Sequence, residues 1–210
     1  IHDYKVNINS EIMLNISHSL ITNEMIEMSK IETIYSHPQA LAQCKLYLSK
    51  KAPQAQLVNT SSTSAALKHI IDDGITSAAI AHARNAKLNN LNIIEENIQD
   101  EKINITRFVV LGNEITPKTE NDKTSFCFDF SDIDKPGQLI NVMKLFSDQE
   151  INITKIESRP SKKELGKYIF WMDITGHIEQ QKLSEIFVQV RKMTRMLKII
   201  GSYPVETAII

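Results

Sequence analysis

Glycine is scarce in this chain. Its 210 residues include only six, at Gly74, Gly112, Gly137, Gly166, Gly176 and Gly201. No two stand close enough to build a phosphate-cradling loop, which excludes a P-loop and the dinucleotide-binding fingerprint. Cysteine is scarcer still. Cys44 and Cys127 have no Cys-x-x-Cys spacing and no adjoining histidine pair, so they read as reduced thiols rather than as a disulfide or a metal site. Charge of neither sign is in excess, with 24 Lys and Arg against 25 Asp and Glu, so there is no electrostatic footprint for nucleic acid or an anionic membrane. No apolar run approaches the roughly 20 residues that cross a bilayer, and the opening IHDYKVNINSEIML has no secretory core with a cleavage site. These absences point to the cytoplasm. What is present, 42% hydrophobic and 23% charged residues, is the composition of a globular protein, and the length accommodates one large domain or two of about 100 residues.

From Ile31 to Leu111, short isoleucine- and valine-rich runs alternate with helical patterns, the signature of α/β layers. A strand at Thr33 to Tyr35 enters Ser36-His37-Pro38, and proline, tolerated at a helix start, predicts a helix from there to Lys50. A strand at Ala55 to Asn59 meets Thr60-Ser61-Ser62-Thr63-Ser64, one of which should cap a helix over Ala65 to Ile71. Strands follow at Ser77 to Ala81, Leu91 to Glu95 and Arg107 to Leu111, with a helix near Ala83 to Leu88. Glu11 to Ile16 reads as a strand ahead of them. In such sheets ligands sit beyond the carboxyl ends of the strands, where helix N-termini aim free N–H groups. Two strand-to-helix joints carry polar clusters, Ser36 to Gln39 and Ser61 to Thr63. By spacing alone, helix capping is the favoured explanation of these hydroxyls.

The polar stretch from Gly112 to Lys123 is a linker. Beyond it Phe126, Phe128 and Phe130 alternate on one face of a strand. Leu139, Val142, Met143 and Phe146 then follow helical spacing, as do Leu183, Ile186, Phe187 and Val190. Strands at Ile151 to Ser158 and Lys167 to Thr175 flank a turn at Pro160 to Gly166, and Leu197 to Tyr203 closes the set. Strand, helix, strand, strand, helix, strand is a ferredoxin-like βαββαβ unit. The expected division is residues 1–112, a linker at 113–123 and a second domain at 124–210.

Several motifs occur in the order of one family. Ser36-His37-Pro38-Gln39, Ser62-Thr63-Ser64-Ala65-Ala66 and Asn104-Ile105-Thr106-Arg107-Phe108 resemble segments of prephenate dehydratase. Lys135-Pro136-Gly137-Gln138-Leu139 and Glu157-Ser158-Arg159-Pro160 resemble the two phenylalanine-binding motifs of its regulatory ACT domain. The resemblance implies a two-lobed, periplasmic-binding-protein-like α/β catalytic domain followed by the ACT domain. The family's glycine-rich GPxGTxS opening and its ENSxxG motif are missing, so the catalytic domain is expected to be incomplete at its N-terminus. Gln138 stands where the family usually has alanine.

The activity so implied is a cofactor-free, decarboxylating dehydration of prephenate to phenylpyruvate in L-phenylalanine biosynthesis. It would be regulated by L-phenylalanine in a homodimer or homotetramer joined through ACT domains. Loss of carbon dioxide pushes electrons through the ring toward a departing hydroxide, so the site needs a hydrogen-bond donor at that oxygen and donors for two carboxylates. By resemblance Thr106 serves the leaving hydroxyl, and a hydrogen bond fits it better than outright proton transfer. Ser36, Gln43, Ser62 and Thr63 are the expected substrate contacts. Arg107 pairs with either a substrate or a structural carboxylate, and Phe108 packs on the ring or in the core. His18, His37 and His69 are given no role. The effector set is Gly137, Gln138, Leu139, Asn152, Glu157, Ser158, Arg159 and Pro160, with Gly137 opening a helix N-terminus to a carboxylate and Glu157 taking an ammonium. The competing reading is a non-catalytic ACT-containing amino-acid sensor, which would need neither the Thr106-Arg107-Phe108 segment nor Ser36 to Gln43. A solute-binding lobe is a third reading that leaves Glu157 to Pro160 unexplained.

Overall fold

The computed structural model describes residues 4–130, 135–161 and 167–209. Packing divides the chain into two compact units, Leu14–Thr106, and Ile1–Met13 together with Arg107–Ile210. This division does not follow a sequential cut at residue 112. A two-stranded ribbon of β1 (Asn7–Asn15) and β7 (Ile105–Gly112) contributes Ile8 and Val109 to the apolar face of the C-terminal sheet, which groups them with it.

The first unit contains β2 (Ser19–Thr22), a 3₁₀ turn at Met28–Lys30, β3 (Thr33–Ser36), α1 (Pro38–Gln43), α2 (Lys45–Lys51) and β4 (Gln56–Asn59). It continues through α3 (Thr63–Asp72), β5 (Ser77–Ala81), α4 (Ala83–Leu88) and β6 (Asn92–Glu96). The strands form one mixed sheet in the order β4-β3-β5-β2-β6, with β3 parallel to β4 and β5, and β2 antiparallel to β5 and β6. Side chains alternate across a strand, so the inner strands feed two cores. Leu20, Ile34, Ala78 and Ile80 meet Leu41, Cys44 and Leu48 on one face. Ile21, Ala79 and Ala81 meet Ala66, Leu67 and Ile70 on the other. All five residues of β5, SAAIA, are buried, and their small size lets helices approach both faces.

One expected helix is two. The pattern from Pro38 to Lys50 breaks at Cys44 (φ −113°, ψ 14°). The cause lies far along the chain: the Asp100 carboxylate accepts from the backbone N–H groups of Leu46 (2.9 Å) and Tyr47 (3.0 Å), groups that a continuous helix would give to its own carbonyls. Burial, reinforced by the charge of Asp100, pushes the Cys44 thiol up to about 12.

The second unit carries β8 (Asp122–Asp129), α5 (Gln138–Ser147), β9 (Ile153–Pro160), β10 (Tyr168–Thr175), α6 (Gln181–Met193) and β11 (Met196–Pro204). The sheet is antiparallel, in the order β11-β8-β10-β9, which is the ferredoxin-like βαββαβ arrangement. Phe126, Phe128, Met172 and Ile174 pack under Val142 and Phe146 of α5 and Leu183, Ile186, Phe187 and Val190 of α6. The opposite face meets the ribbon, where Ile8 joins Cys127, Ile169, Ile200 and Tyr203. Gly201 permits that approach, since a Cβ on it would stand 2.2 Å from the Ile8 carbonyl oxygen. Residues 113–121 separate β7 from β8, and Asp122, the first residue of β8, accepts from the backbone N–H (2.7 Å) and the hydroxyl (2.6 Å) of Thr119. The turn expected at Pro160 to Gly166 lies in part, at 162–166, outside the described residues. No described helix is long and apolar enough to cross a membrane.

Candidate functional site

Because β3 and β4 run parallel, both end at the same sheet edge, and the helices that follow them, α1 and α3, begin there. His37 caps α1, its Nδ1 accepting from Gln39 N–H at 3.3 Å. Ser62 caps α3, its Oγ accepting from Ala65 N–H at 3.0 Å. A hollow of about 350 Å³ opens at this edge, lined by Gln43, Ser61, Ser62, Thr63 and Thr106 together with His18, His37 and Asn104. Gln43 Oε1 lies 2.8 Å from His18 Nε2, so an imidazole carrying its proton on Nε2 donates to the amide oxygen and fixes both side chains. Ile16 N–H donates to the Asn104 carbonyl at 2.7 Å, which holds the residues leading to Thr106 beside the end of β1.

The described lining contains hydroxyls, amides and imidazoles and no carboxylate. Such a surface suits an anion, which meets the positive end of α3 and its N–H groups without a repelling acid. Asn104 Nδ2 is buried and has no hydrogen-bond partner among the described residues, an unused donor in the wall of an anion-sized hollow. Asn104 opens the Asn104-Ile105-Thr106-Arg107-Phe108 motif, and the sequence alone assigns it no role. The signal was its spacing from Thr106, since residues two apart on an extended chain share a side.

Three expected contacts are placed elsewhere. Ser36 is fully buried and donates its only hydroxyl proton to the Ile80 carbonyl at 2.7 Å, joining β3 to β5. A hydroxyl with its proton so committed keeps only acceptor capacity, which a substrate carboxylate cannot use. Arg107 points away from the Thr106 side of β7. Its Nε lies 2.6 Å from Glu11 Oε2 and its Nη1 2.5 Å from Asp173 Oδ2, and its Nη2 donates to the Tyr203 hydroxyl. Of the two carboxylate partners left open for Arg107, the structural ones hold it. Burial alone would lower its pKa, but Tyr203, Asp173 and Glu11 outweigh burial and raise it. Phe108 is half-exposed and does not line the hollow.

The effector residues divide between two faces of the C-terminal sheet. Gly137 adopts φ +86° ahead of α5, a left-handed conformation suited to glycine. Gln138 Oε1 accepts from Lys135 N–H at 3.2 Å, and Leu139 packs into the helix-side core. Asn152 is tied to Thr175, donating its N–H to Oγ1 at 3.3 Å. Ser158 lies across from Phe170, whereas Glu157 pairs with Trp171 and Arg159 with Ile169. Alternation therefore sends Glu157 and Arg159 to the face away from the helices. Glu157 accepts from Arg159 at 2.6 Å and lies 3.1 Å from Lys155, and these partners, Arg159 first, lower its pKa. One chain thus does not gather all eight residues in one hollow. Among the described residues no group of three or more His, Cys, Asp or Glu is placed to hold a metal ion.

The family model for prephenate dehydratase matches residues 1–116, and that for the ACT domain matches 128–191. The prephenate dehydratase of Methanocaldococcus jannaschii is 40% identical over 203 residues, covering 95% of this chain and 72% of the relative. The bifunctional chorismate mutase/prephenate dehydratase of Aquifex aeolicus is 38% identical over 200 residues, 95% of this chain and 54% of its own length, so the chain spans about half of that relative. Among solved structures, prephenate dehydratase from Arthrobacter aurescens in complex with L-Phe superposes with a TM-score of 0.86 at 29% identity, over 95% of this chain and 66% of that one.

Proposed function

The chain belongs to the prephenate dehydratase family, with an ACT domain following its catalytic portion, and on that premise we propose that it acts in the decarboxylating dehydration of prephenate to phenylpyruvate. Substrate carboxylate is received at the N-terminus of α3 by Ser62, Thr63 and free N–H groups. Gln43, held by His18, and Asn104 complete the polar wall. The C–C bond to the ring carboxylate breaks, carbon dioxide leaves, and its electron pair enters the ring as the C–O bond on the far side breaks. Thr106 donates a hydrogen bond to that departing oxygen. A threonine hydroxyl is too weak an acid to give up its proton, so its contribution is stabilisation of developing negative charge, and solvent completes the water molecule. The observation that carries this reading is the convergence of Gln43, Ser62, Thr63 and Thr106, from three separate segments, on one carboxylate-free hollow.

L-phenylalanine is proposed as the feedback effector, bound where Gly137, Gln138 and Leu139 of one copy face Asn152, Glu157, Ser158, Arg159 and Pro160 of a second. A homo-oligomer joined through ACT domains supplies that geometry. The split of these residues between sheet faces in one chain, and the edge position of β9, support it. The proposed compartment is the cytoplasm, where the two buried thiols, Cys44 and Cys127, neither of them in a disulfide, stay reduced.

The test is phenylpyruvate formation from prephenate, measured on the protein as its gene encodes it and on Thr106→Ala. Loss of one donor at a developing oxyanion lowers kcat by roughly 10²- to 10³-fold, with KM little changed. Undiminished kcat in the variant overturns the role of Thr106. Absence of turnover in the parent protein together with retained phenylalanine binding would favour the amino-acid sensor.

A further inference from the structure

The helix-free face of the C-terminal sheet holds a second cavity, of about 660 Å³, separate from the Thr106 hollow. The ribbon supplies Ile8 and Val109 to it, and the sheet supplies Ile169, Trp171 and Ile200. This apolar body, flat along the indole, has a charged rim. There Lys155 and Arg159 share a single carboxylate, Glu157, and the Arg159 guanidinium lies 5.8 Å from the centre of the Trp171 ring. At the base Asp173, whose side chain is 8% exposed, is occupied by Arg107 and by the Ser125 hydroxyl at 2.5 Å.

We propose that this cavity binds a small aromatic monocarboxylate, its ring against Trp171 and its carboxylate on Arg159 and Lys155. The volume lies within the range of small-molecule sites, and a mostly apolar wall with a few convergent polar groups is their usual construction. Anion rather than ammonium follows from the donor count. Arg159 and Lys155 carry five and three N–H donors and among the described residues share one carboxylate, Glu157, between them. Both acids in the wall, Glu157 and Asp173, already serve two partners each, so an added ammonium would compete with bound cations and donors for them, whereas an added carboxylate meets donors in excess. The aromatic acid that the proposed reaction forms is of this class, so the inference deepens that reading as control by product. Arg107, at the base, is the next residue after Thr106 in β7. The site draws Glu157, Arg159 and Pro160 from the proposed effector set but neither Gly137 nor α5, so a ligand without an ammonium group distinguishes its occupancy from effector binding.

The full chain has one tryptophan, Trp171, so its emission reports on this cavity. Titration with 3-phenylpropionate, which has no ammonium group, should give a saturable change in emission. Affinity should fall about tenfold or more in Arg159→Gln and in Lys155→Gln, as expected for loss of a charged hydrogen bond. Both side chains are largely exposed, so these variants keep the fold, and circular dichroism verifies it. Val109→Phe, which puts a ring into the cavity, should abolish the response. The neutral amide 3-phenylpropanamide and L-phenylalanine should each bind this cavity at least tenfold more weakly. No saturable change, equal affinity for acid and amide, or unaltered affinity in Arg159→Gln and Lys155→Gln overturns the site. If Val109→Phe fails to fold, those two variants decide. Because the titration needs no turnover, its outcome is independent of the Thr106→Ala assay.

Discussion

Replacing Glu11 with leucine tests the central electrostatic device of the C-terminal unit. The Glu11 carboxylate is fully buried and lies 2.6 Å from Arg107 Nε, and it accepts from Lys123 Nζ at 2.9 and 3.1 Å and from the Glu206 N–H at 3.2 Å. Leucine there removes one negative charge from between two cations. Arg107 keeps Asp173, but Lys123, whose side chain is 11% exposed, loses the only ion-pair partner it has among the described residues. Removing one member of a buried pair costs about 3–5 kcal/mol, because the other charge stays desolvated. For a chain of this size that corresponds to a fall in Tm of roughly 6–20 °C. The double variant Glu11→Leu with Lys123→Met removes both charges and should recover half or more of the loss, since apolar replacement of a whole buried pair is often close to neutral. Urea denaturation at pH 7 measures both variants against the parent. Glu11→Leu within 1 kcal/mol of the parent, or a double variant no more stable than the single, would refute the reasoning.

Two more perturbations follow from the packing. Gly201→Ala places a methyl 2.2 Å from the Ile8 carbonyl oxygen and 2.9 Å from its nitrogen, and since backbone cannot rotate aside as a side chain does, the expected loss is about 3 kcal/mol or more, read by urea denaturation; a loss below 1 kcal/mol would mean the ribbon does not sit on β11. Cys44, its thiol raised to about 12, should react with iodoacetamide at pH 8 on the order of 10³-fold more slowly than an ordinary thiol of pKa about 8.5, scored by mass spectrometry. The sign of the linked stability is fixed: the folded chain keeps a proton that the unfolded chain releases near pH 8.5. The contribution is therefore intact below that pH and falls by about 1.4 kcal/mol per pH unit as the pH climbs toward 12. Stability that stays level from pH 7 to 10 in denaturant melts would contradict it.

Local information in the sequence was enough to determine most element types and their order, though not the four-residue β2, which is too short to show a period, nor the division of one expected helix into α1 and α2. Period-two alternation marked β8, helical spacing marked α5 and α6, and the hydroxyl run marked the start of α3, because each signal is written within a few neighbouring residues. The order of motifs from Ser36 to Pro160 likewise marked the family, and Gln43, Ser62, Thr63 and Thr106 are brought to one hollow. Tertiary structure decided what the polar side chains do. Ser36 reads as a strand-end hydroxyl free for a ligand, but the parallel pairing of β3 with β5 puts the Ile80 carbonyl within its reach. Arg107 adjoins Thr106 in sequence yet serves Glu11 and Asp173, residues 96 positions before and 66 after it in the chain. The break at Cys44 depends on Asp100, and the division of Glu157 and Arg159 from Gly137 depends on sheet register. A hydrogen bond or ion pair is satisfied by whatever partner folding brings within about 3 Å, and that partner is chosen by long-range packing, which the local pattern does not encode.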